Sequence, residues 1–266
     1  MRFLIQFFFF LFFSFNSFSN DTLIWKFSIP VKATLFSTDP NGNIYIVRDD
    51  NSFIRYNSIG DSTGFFNEIK KGKITQIDAT NPMRVLLYFS EYGQIVILDR
   101  LLTKKSTLKL PLIGLFNVNC IANSADGNIW LYEPVSGTLM KIDDVPSIRF
   151  TTTLKNIIEE NIDPVFMVEQ DRSLFIVDSI QGIKKFDQFG FYQSGFPFLT
   201  NEVQYINRYL VYYKHPLLYS YNTQTFNEAT LKLPNQEDIL QVRTERNNVY
   251  ILRKESLDIY QLNENR

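Results

Sequence analysis

The 266 residues hold one histidine, His215, and one cysteine, Cys120. That pair sets hard limits on chemistry. Acyl transfer by a Ser-His-Asp or Cys-His arrangement needs a histidine as base, so His215, in Lys214-His215-Pro216, would have to serve. No Gly-x-Ser-x-Gly turn accompanies it. Cys120 sits in the apolar-rich stretch 116–122, where a buried, inert thiol is expected. Zinc and copper sites want several His or Cys ligands, and lyases that use paired histidines fail on the same count. There is no glycine-rich phosphate loop. Oxygen-ligand chemistry remains, because carboxylates and amides suffice for calcium.

A second set of polar residues recurs in short loops. These read Asp49-Asp50-Asn51, Ser90-Glu91-Tyr92-Gly93, Glu133-Pro134-Val135-Ser136-Gly137, Asp178-Ser179-Ile180-Gln181, Lys214-His215-Pro216 and Arg253-Lys254-Glu255-Ser256. The first four present acid and the last two present base. On one rim, such a polarised set would orient a protein partner. The plain alternative is an ordinary solvated surface. Asp49, Asp50, Tyr92, Glu133, Asp178, His215 and Arg253 are the candidate partner-binding residues.

A repeat could bring these loops to one rim. An apolar, β-branched and aromatic run recurs six times, starting at Ile44, Val85, Ile129, Leu174, Leu210 and Val249. The intervals are 41, 44, 45, 36 and 39 residues, the range of four-stranded propeller blades. The runs are continuous rather than alternating, as in strands buried on both faces. Each follows a Gly, Asn, Asp or Pro turn signal, of which Asp39-Pro40-Asn41-Gly42-Asn43 is the clearest. A first strand precedes each turn, and a third strand begins seven to nine residues beyond each run's start. The third strands end on Asn57, Asp99, Asp143, Asp187 and Asn222. Fourth strands are expected at 64–69, 107–110, 150–154, 191–198 and 230–233.

The sixth unit ends after its third strand, while Leu23 to Pro30 forms an unassigned strand near the N-terminus. A closed ring whose last blade takes its outer strand from the N-terminal segment accounts for both, and it removes open sheet edges. The expected fold class is therefore all-β, a six-bladed β-propeller with four-stranded blades. The segment 154–164 departs from the pattern. Its apolar residues fall at i, i+3, i+4 and i+8, a helical spacing. It reads as a turn capping the space between blades, with a partner-binding helix as the other reading.

The wording of three stretches, Asp39 to Val47, Ser124 to Tyr132 and Asp178 to Gly190, resembles the NHL-like and gluconolactonase-like six-bladed β-propeller superfamily. The resemblance spans the mature chain as architecture and turn–strand pattern. It implies a metal at the central channel held by Glu, Asn and Asp side chains. Asp78, Asn119, Asn123, Glu169 and Asn207 are the strand-end groups available, with Asn119 and Glu169 put forward as calcium ligands. Pairing with strand-end backbone is the alternative for each.

Residues 1–19 read as a signal peptide. Arg2 supplies positive charge, Phe3 to Phe13 is apolar apart from Gln6, and Ser17-x-Ser19 offers small residues at a cleavage spacing. This eleven-residue stretch falls short of the ~20 residues that span a bilayer as a helix, so no stable span is expected after cleavage. Residues 20–266 then form the propeller domain. One cysteine permits no internal disulfide, so a core drawn from 45% hydrophobic residues must hold the fold. With 27 basic against 28 acidic residues, a nucleic-acid partner is not expected. Abundant Phe, Asn, Ile and Lys suggest an A+T-rich bacterial genome.

The sequence thus reads as a non-enzymatic binding or scaffold module of the bacterial cell envelope, periplasmic or outer-membrane associated. It would be a rigid platform for an envelope protein, or for a glycan, with no cofactor. A specific version is an accessory subunit on the periplasmic side of an outer-membrane secretion or assembly complex. The alternative is a calcium-dependent, lactonase-like hydrolase.

Overall fold

β-branched and aromatic residues crowd the six runs, and these become the second strands of six sheets. The computed structural model describes residues 22–68, 71–158 and 162–263, so the signal-peptide reading of 1–19 lies outside the described residues. The first element is β1 (Thr22–Pro30). Blade one follows as β2 (Ala33–Thr38), β3 (Ile44–Arg48), β4 (Phe53–Tyr56) and β5 (Ser62–Phe66). Blade two comprises β6 (Gln76–Asp78), β7 (Val85–Phe89), β8 (Gln94–Leu98) and β9 (Lys104–Lys109). Blade three comprises β10 (Cys120–Asn123), β11 (Ile129–Glu133), β12 (Thr138–Ile142) and β13 (Ile148–Thr153). Blade four comprises β14 (Pro164–Gln170), β15 (Ser173–Asp178), β16 (Gly182–Asp187) and β17 (Tyr192–Phe196). Blade five comprises β18 (Gln204–Ile206), β19 (Tyr209–Lys214), β20 (Leu217–Asn222) and β21 (Glu228–Lys232). Blade six has β22 (Gln241–Glu245), β23 (Asn248–Leu252) and β24 (Ser256–Asn263), with β1 as its outer strand.

The ring closes as expected. β1 pairs antiparallel with β24 from Thr22 opposite Asn263 to Pro30 opposite Ser256, with one bulge between Trp25 and Phe27. Six buried clusters fill the six seams between neighbouring blades. In blade two, Leu86 and Tyr88 of β7 face the blade-three seam, whereas Val85, Leu87 and Phe89 face the blade-one seam. Both faces of the strand are buried, which is why the run reads as continuously apolar.

Fourth strands in blades one, two, three and five begin two or three residues earlier than the sequence suggested, while β17 begins at Tyr192, one residue later. β9 starts at Lys104 rather than Thr107, and β21 at Glu228 rather than Thr230. The cause lies in the Asx residues ending the third strands. Asp99 Oδ1 accepts from the Leu101 and Thr103 amides, both at 2.8 Å. Asp187 Oδ1 accepts from Phe189 at 2.8 Å and Phe191 at 3.0 Å. Asn57 Oδ1 accepts from Ile59 at 3.1 Å and Asp61 at 2.8 Å. These side chains stand in for a backbone turn, so pairing resumes at once.

The 154–164 segment forms one helical turn, α1 (Lys155–Ile158). The Leu154 carbonyl accepts from Ile157 and Ile158, and the Leu154 side chain is buried in the seam between blades three and four. It caps that seam.

Candidate functional site

The first strands β2, β6, β10, β14, β18 and β22 run around a central channel. Glutamines on these strands clasp the next blade. The Gln76 amide bonds both the N–H and the carbonyl of Ile121, at 2.9 and 2.8 Å. Gln204 does the same to Thr244, at 2.8 and 2.9 Å. Gln241 clasps Phe36 across the ring closure, at 2.9 and 3.0 Å. Gln170 accepts from the Tyr205 amide at 2.6 Å. These bonds continue backbone pairing from blade to blade around the wall.

Arg243 blocks the waist of the channel. It is buried, and it borders both a cavity of about 460 Å³ at one mouth and one of about 320 Å³ at the other. Its Nη1 pairs with Glu202, and its Nε lies 3.4 Å from Thr38 Oγ1. Burial pulls the guanidinium down to about 10, opposed by Asp78 and Glu245. It stays charged at neutral pH. Burial also pushes the Glu245 carboxyl up, against the pull of Arg243.

The strand-end groups divide between the two mouths. Asn123, Glu169 and Asn207 border the 460 Å³ cavity, beside the turns joining first and second strands. Asp78 ends β6 on that same side. Asn119 borders the other cavity, and its Nδ2 donates to Asp163 Oδ1 at 2.7 Å. Asn119 and Glu169 thus lie at opposite mouths of the channel. The reason is direction: Asn119 precedes the first strand of its blade, while Glu169 lies near the far end of its own.

Glu169 also has its oxygens occupied. It accepts from Trp130 Nε1 at 2.5 Å, Ser124 Oγ at 2.7 Å and the Ala125 amide at 3.0 Å. Asp78 accepts from Asn123, whose amide lies 2.7 Å away, and from both the amide and hydroxyl of Thr80. Both are buried carboxylates tying blades together, and most of their acceptor capacity is taken by these bonds. Among the described residues no group of three or more His, Cys, Asp or Glu gathers to hold a metal.

Cys120 is buried, and burial pushes its thiol well above the ordinary range. His215 lies on the opposite rim from Glu169, its Nδ1 3.1 Å from the Tyr213 hydroxyl, before a cis Pro216. No serine, threonine or cysteine bonds it among the described residues.

The loops between second and third strands share one rim, but their charges are not all presented. Asp178 is buried and accepts from the amides of Asp163, Ile180 and Gln181. Arg253 is buried against Asp258 and the carbonyls of Glu237 and Pro234. Each ties its loop down instead of facing outward. Asp49 and Tyr92 are exposed. Asp50 is exposed and bonds Ser52, and these bonds hold its carboxyl below the usual range. Glu133 folds onto the Ser136 amide and hydroxyl.

The sequence reading missed the apolar side chains on the same rim. Leu112, Phe116, Val135 and Ile180 are between 69% and 82% exposed. They come from three consecutive blades. Their signal was present, since Val135 and Ile180 sit inside the quoted polar loops, but exposure cannot be read from one strand-length pattern.

No family model and no curated protein matches the sequence. Solved structures do match. A catalytically inactive virginiamycin B lyase from Staphylococcus aureus with quinupristin aligns with TM-score 0.63 at 12% identity, covering 91% of this chain and 99% of that one. The Pan2 WD40 domain of Neurospora crassa aligns with TM-score 0.63 at 8% identity, covering 91% and 96%. BamB from Moraxella catarrhalis aligns with TM-score 0.53 at 10% identity, covering 92% and 99%. At such identities the likeness establishes the fold. This chain has the β-propeller fold, with six four-stranded blades. No helix among the described residues is long and apolar enough to cross a membrane.

Proposed function

We propose that this chain is a non-enzymatic platform of the bacterial cell envelope that holds a protein partner on the rim of loops joining second and third strands. The carrying observation is the set Leu112, Phe116, Val135 and Ile180, four large apolar side chains exposed on that face of three consecutive blades. Exposed apolar groups in such concentration mark interaction surfaces. Asp49, Asp50, Tyr92 and Glu133 supply a polar and acidic border, which would set register and on-rate more than affinity. The finer version is an accessory subunit on the periplasmic side of an outer-membrane secretion or assembly complex. The fold likeness to BamB is in keeping with it. A glycan would use the aromatic Tyr92 and Phe116 rather than Val135 and Ile180.

The calcium-dependent, lactonase-like reading has less support, because Glu169 already accepts three hydrogen bonds and Asn119 lies at the far mouth. Affinity capture from native membranes tests the proposal. A stoichiometric envelope protein should co-purify with the wild-type chain and be lost with Val135→Asp/Ile180→Asp, while melting stays unchanged. Capture that survives this double substitution would remove the rim from consideration.

A further inference from the structure

In each blade the second residue of the apolar run points into the seam with the following blade. These residues are Tyr45, Leu86, Trp130, Phe175, Val211 and Tyr250. Five are large, and none of those five is more than 1% exposed. Val211, facing the seam between blades five and six, is small and only half-buried. The third strands repeat the contrast, because directly paired residues share a sheet face. Arg55 pairs with Tyr45, Ile97 with Leu86, Lys141 with Trp130, Lys185 with Phe175 and Ile259 with Tyr250. The partner of Val211 is Ser220, and the partner of Ser220 on β21 is Ala229. The row across blade five therefore holds nothing larger than valine, whereas every other row holds two large side chains.

A slot lies where that row lacks its ring. Val211, Ser220 and Ala229 all line the cavity of about 660 Å³ between blades five and six. Leu218, Leu231, Val249 and Leu262 complete its apolar walls. Asn207 and Asn247 stand at its edge, and among the described residues no hydrogen bond engages either side-chain amide. Thr244 lines it too. The seam between blades three and four shows what that position does. There Trp130 Nε1 donates to Glu169 of the following blade, which is paired with Leu174, the first residue of its run. In blade six the residue paired with the first of the run, Val249, is Thr244. Its hydroxyl reaches only Gln204 Oε1, at 3.5 Å, so it keeps an acceptor for a ring N–H.

We infer that the slot between blades five and six binds a small, neutral, planar aromatic molecule with a ring N–H, of indole size, which takes the place of the missing side chain and donates to Thr244. Four of the five equivalent residues are aromatic, so the seam geometry of this ring is one that accepts a flat ring at that place. Apolar walls with a few polar groups at the edge are what small-molecule sites share. Glu245 and Arg246 border the slot with opposite signs, which suits a neutral ligand. The slot opens beside the turns joining first and second strands, at the opposite end of the strands from the partner rim, so the two proposals stand or fall separately.

The test is titration of the isotope-labelled full chain with indole, followed in amide proton–nitrogen spectra. Shifts should saturate and centre on the Thr244 and Asn247 amides and the Asn207 and Asn247 side chains, with none at Val135 or Ile180. Val211→Phe supplies the missing ring, so it should raise the melting temperature and weaken indole binding at least ~10-fold. Ser220→Leu fills the same space from β20 and should do both, which keeps the test decisive if one substitution fails to fold. Thr244→Val keeps the shape and removes the acceptor. It should weaken indole roughly 5-fold and leave N-methylindole, which has no N–H to donate, unchanged. Three results would overturn the inference: no saturable shift in the wild-type chain, indole affinity unchanged in both filled variants, or melting lowered by both. The last would mean that the seam is already full.

Discussion

Glu169 shows how one buried carboxylate can be structural rather than catalytic. Three donors converge on it from blade three, and Trp130 Nε1 is the shortest at 2.5 Å. Removing it orphans all three, and a buried unsatisfied donor costs about 1–3 kcal/mol. Glu169→Ala should therefore lose about 3 kcal/mol, a fall of roughly 6–12 °C in Tm by scanning calorimetry. Beside it, Lys141 lies 4.2 Å over the Trp130 ring and bonds Asp126 at 2.7 Å. Burial opposes ionisation of Asp126, but the Lys141 ammonium and the Asn128 amide hold its carboxyl down at about 2. A depressed carboxyl adds stability above its unfolded value, and that increment disappears as pH falls from about 4 through 2. Asp126→Asn should flatten the dependence of Tm on pH in that window alone. Gly182 is constrained differently. Its φ is +87°, and a Cβ would meet the Phe196 carbonyl at 2.3 Å. Gly182→Ala should cost at least ~2 kcal/mol in urea denaturation.

The elements are joined by two recurrent devices of unequal visibility. Asx-capped hairpins were legible, because Asn57, Asp99, Asp143, Asp187 and Asn222 recur at the ends of third strands. Their tight geometry, which moved the fourth strands forward, was not, since it depends on which amides the carboxylate reaches. The glutamine clasps left only four scattered Gln residues among short polar stretches. Their partners lie 35 to 205 positions away, and no local pattern reports contacts so distant. Gln241→Ala should orphan both backbone groups of Phe36 and release Glu202 from its 2.6 Å contact. The expected loss is about 2–4 kcal/mol, read as a lower urea midpoint with an unchanged slope.

Across the whole molecule the seams are uneven. The seam between blades five and six buries Leu218, Leu233, Val242, Val249 and Ile251, a smaller core than the seam between blades two and three. Cavities of about 660 Å³ and 100 Å³ flank it. Thinly packed regions open first, so hydrogen exchange should be fastest at β18 and β22 among first strands and slowest at β10. The ring also depends on β1. Deleting residues 22–30 exposes the β24 edge and removes Phe27 and Ile29 from the blade-six seam, so cooperative thermal unfolding should be lost.

Fold class, blade number, strand order and the closing role of the N-terminal strand were determined by the sequence itself. Those features rest on local periodicity and turn chemistry, repeated often enough to be unambiguous. Excluding a zinc or copper site built from several histidines or cysteines needed only a count. The tertiary structure alone decided which polar residues face outward. Asp178 and Arg253 turn inward because nearby backbone groups need partners, while Asn119 and Glu169 part company because strand direction sends them to opposite mouths. It also decided which apolar side chains reach solvent, among them Leu112, Phe116, Val135 and Ile180 on one rim. Faces are sums over residues far apart in the chain, and only the closed ring brings those residues into one surface.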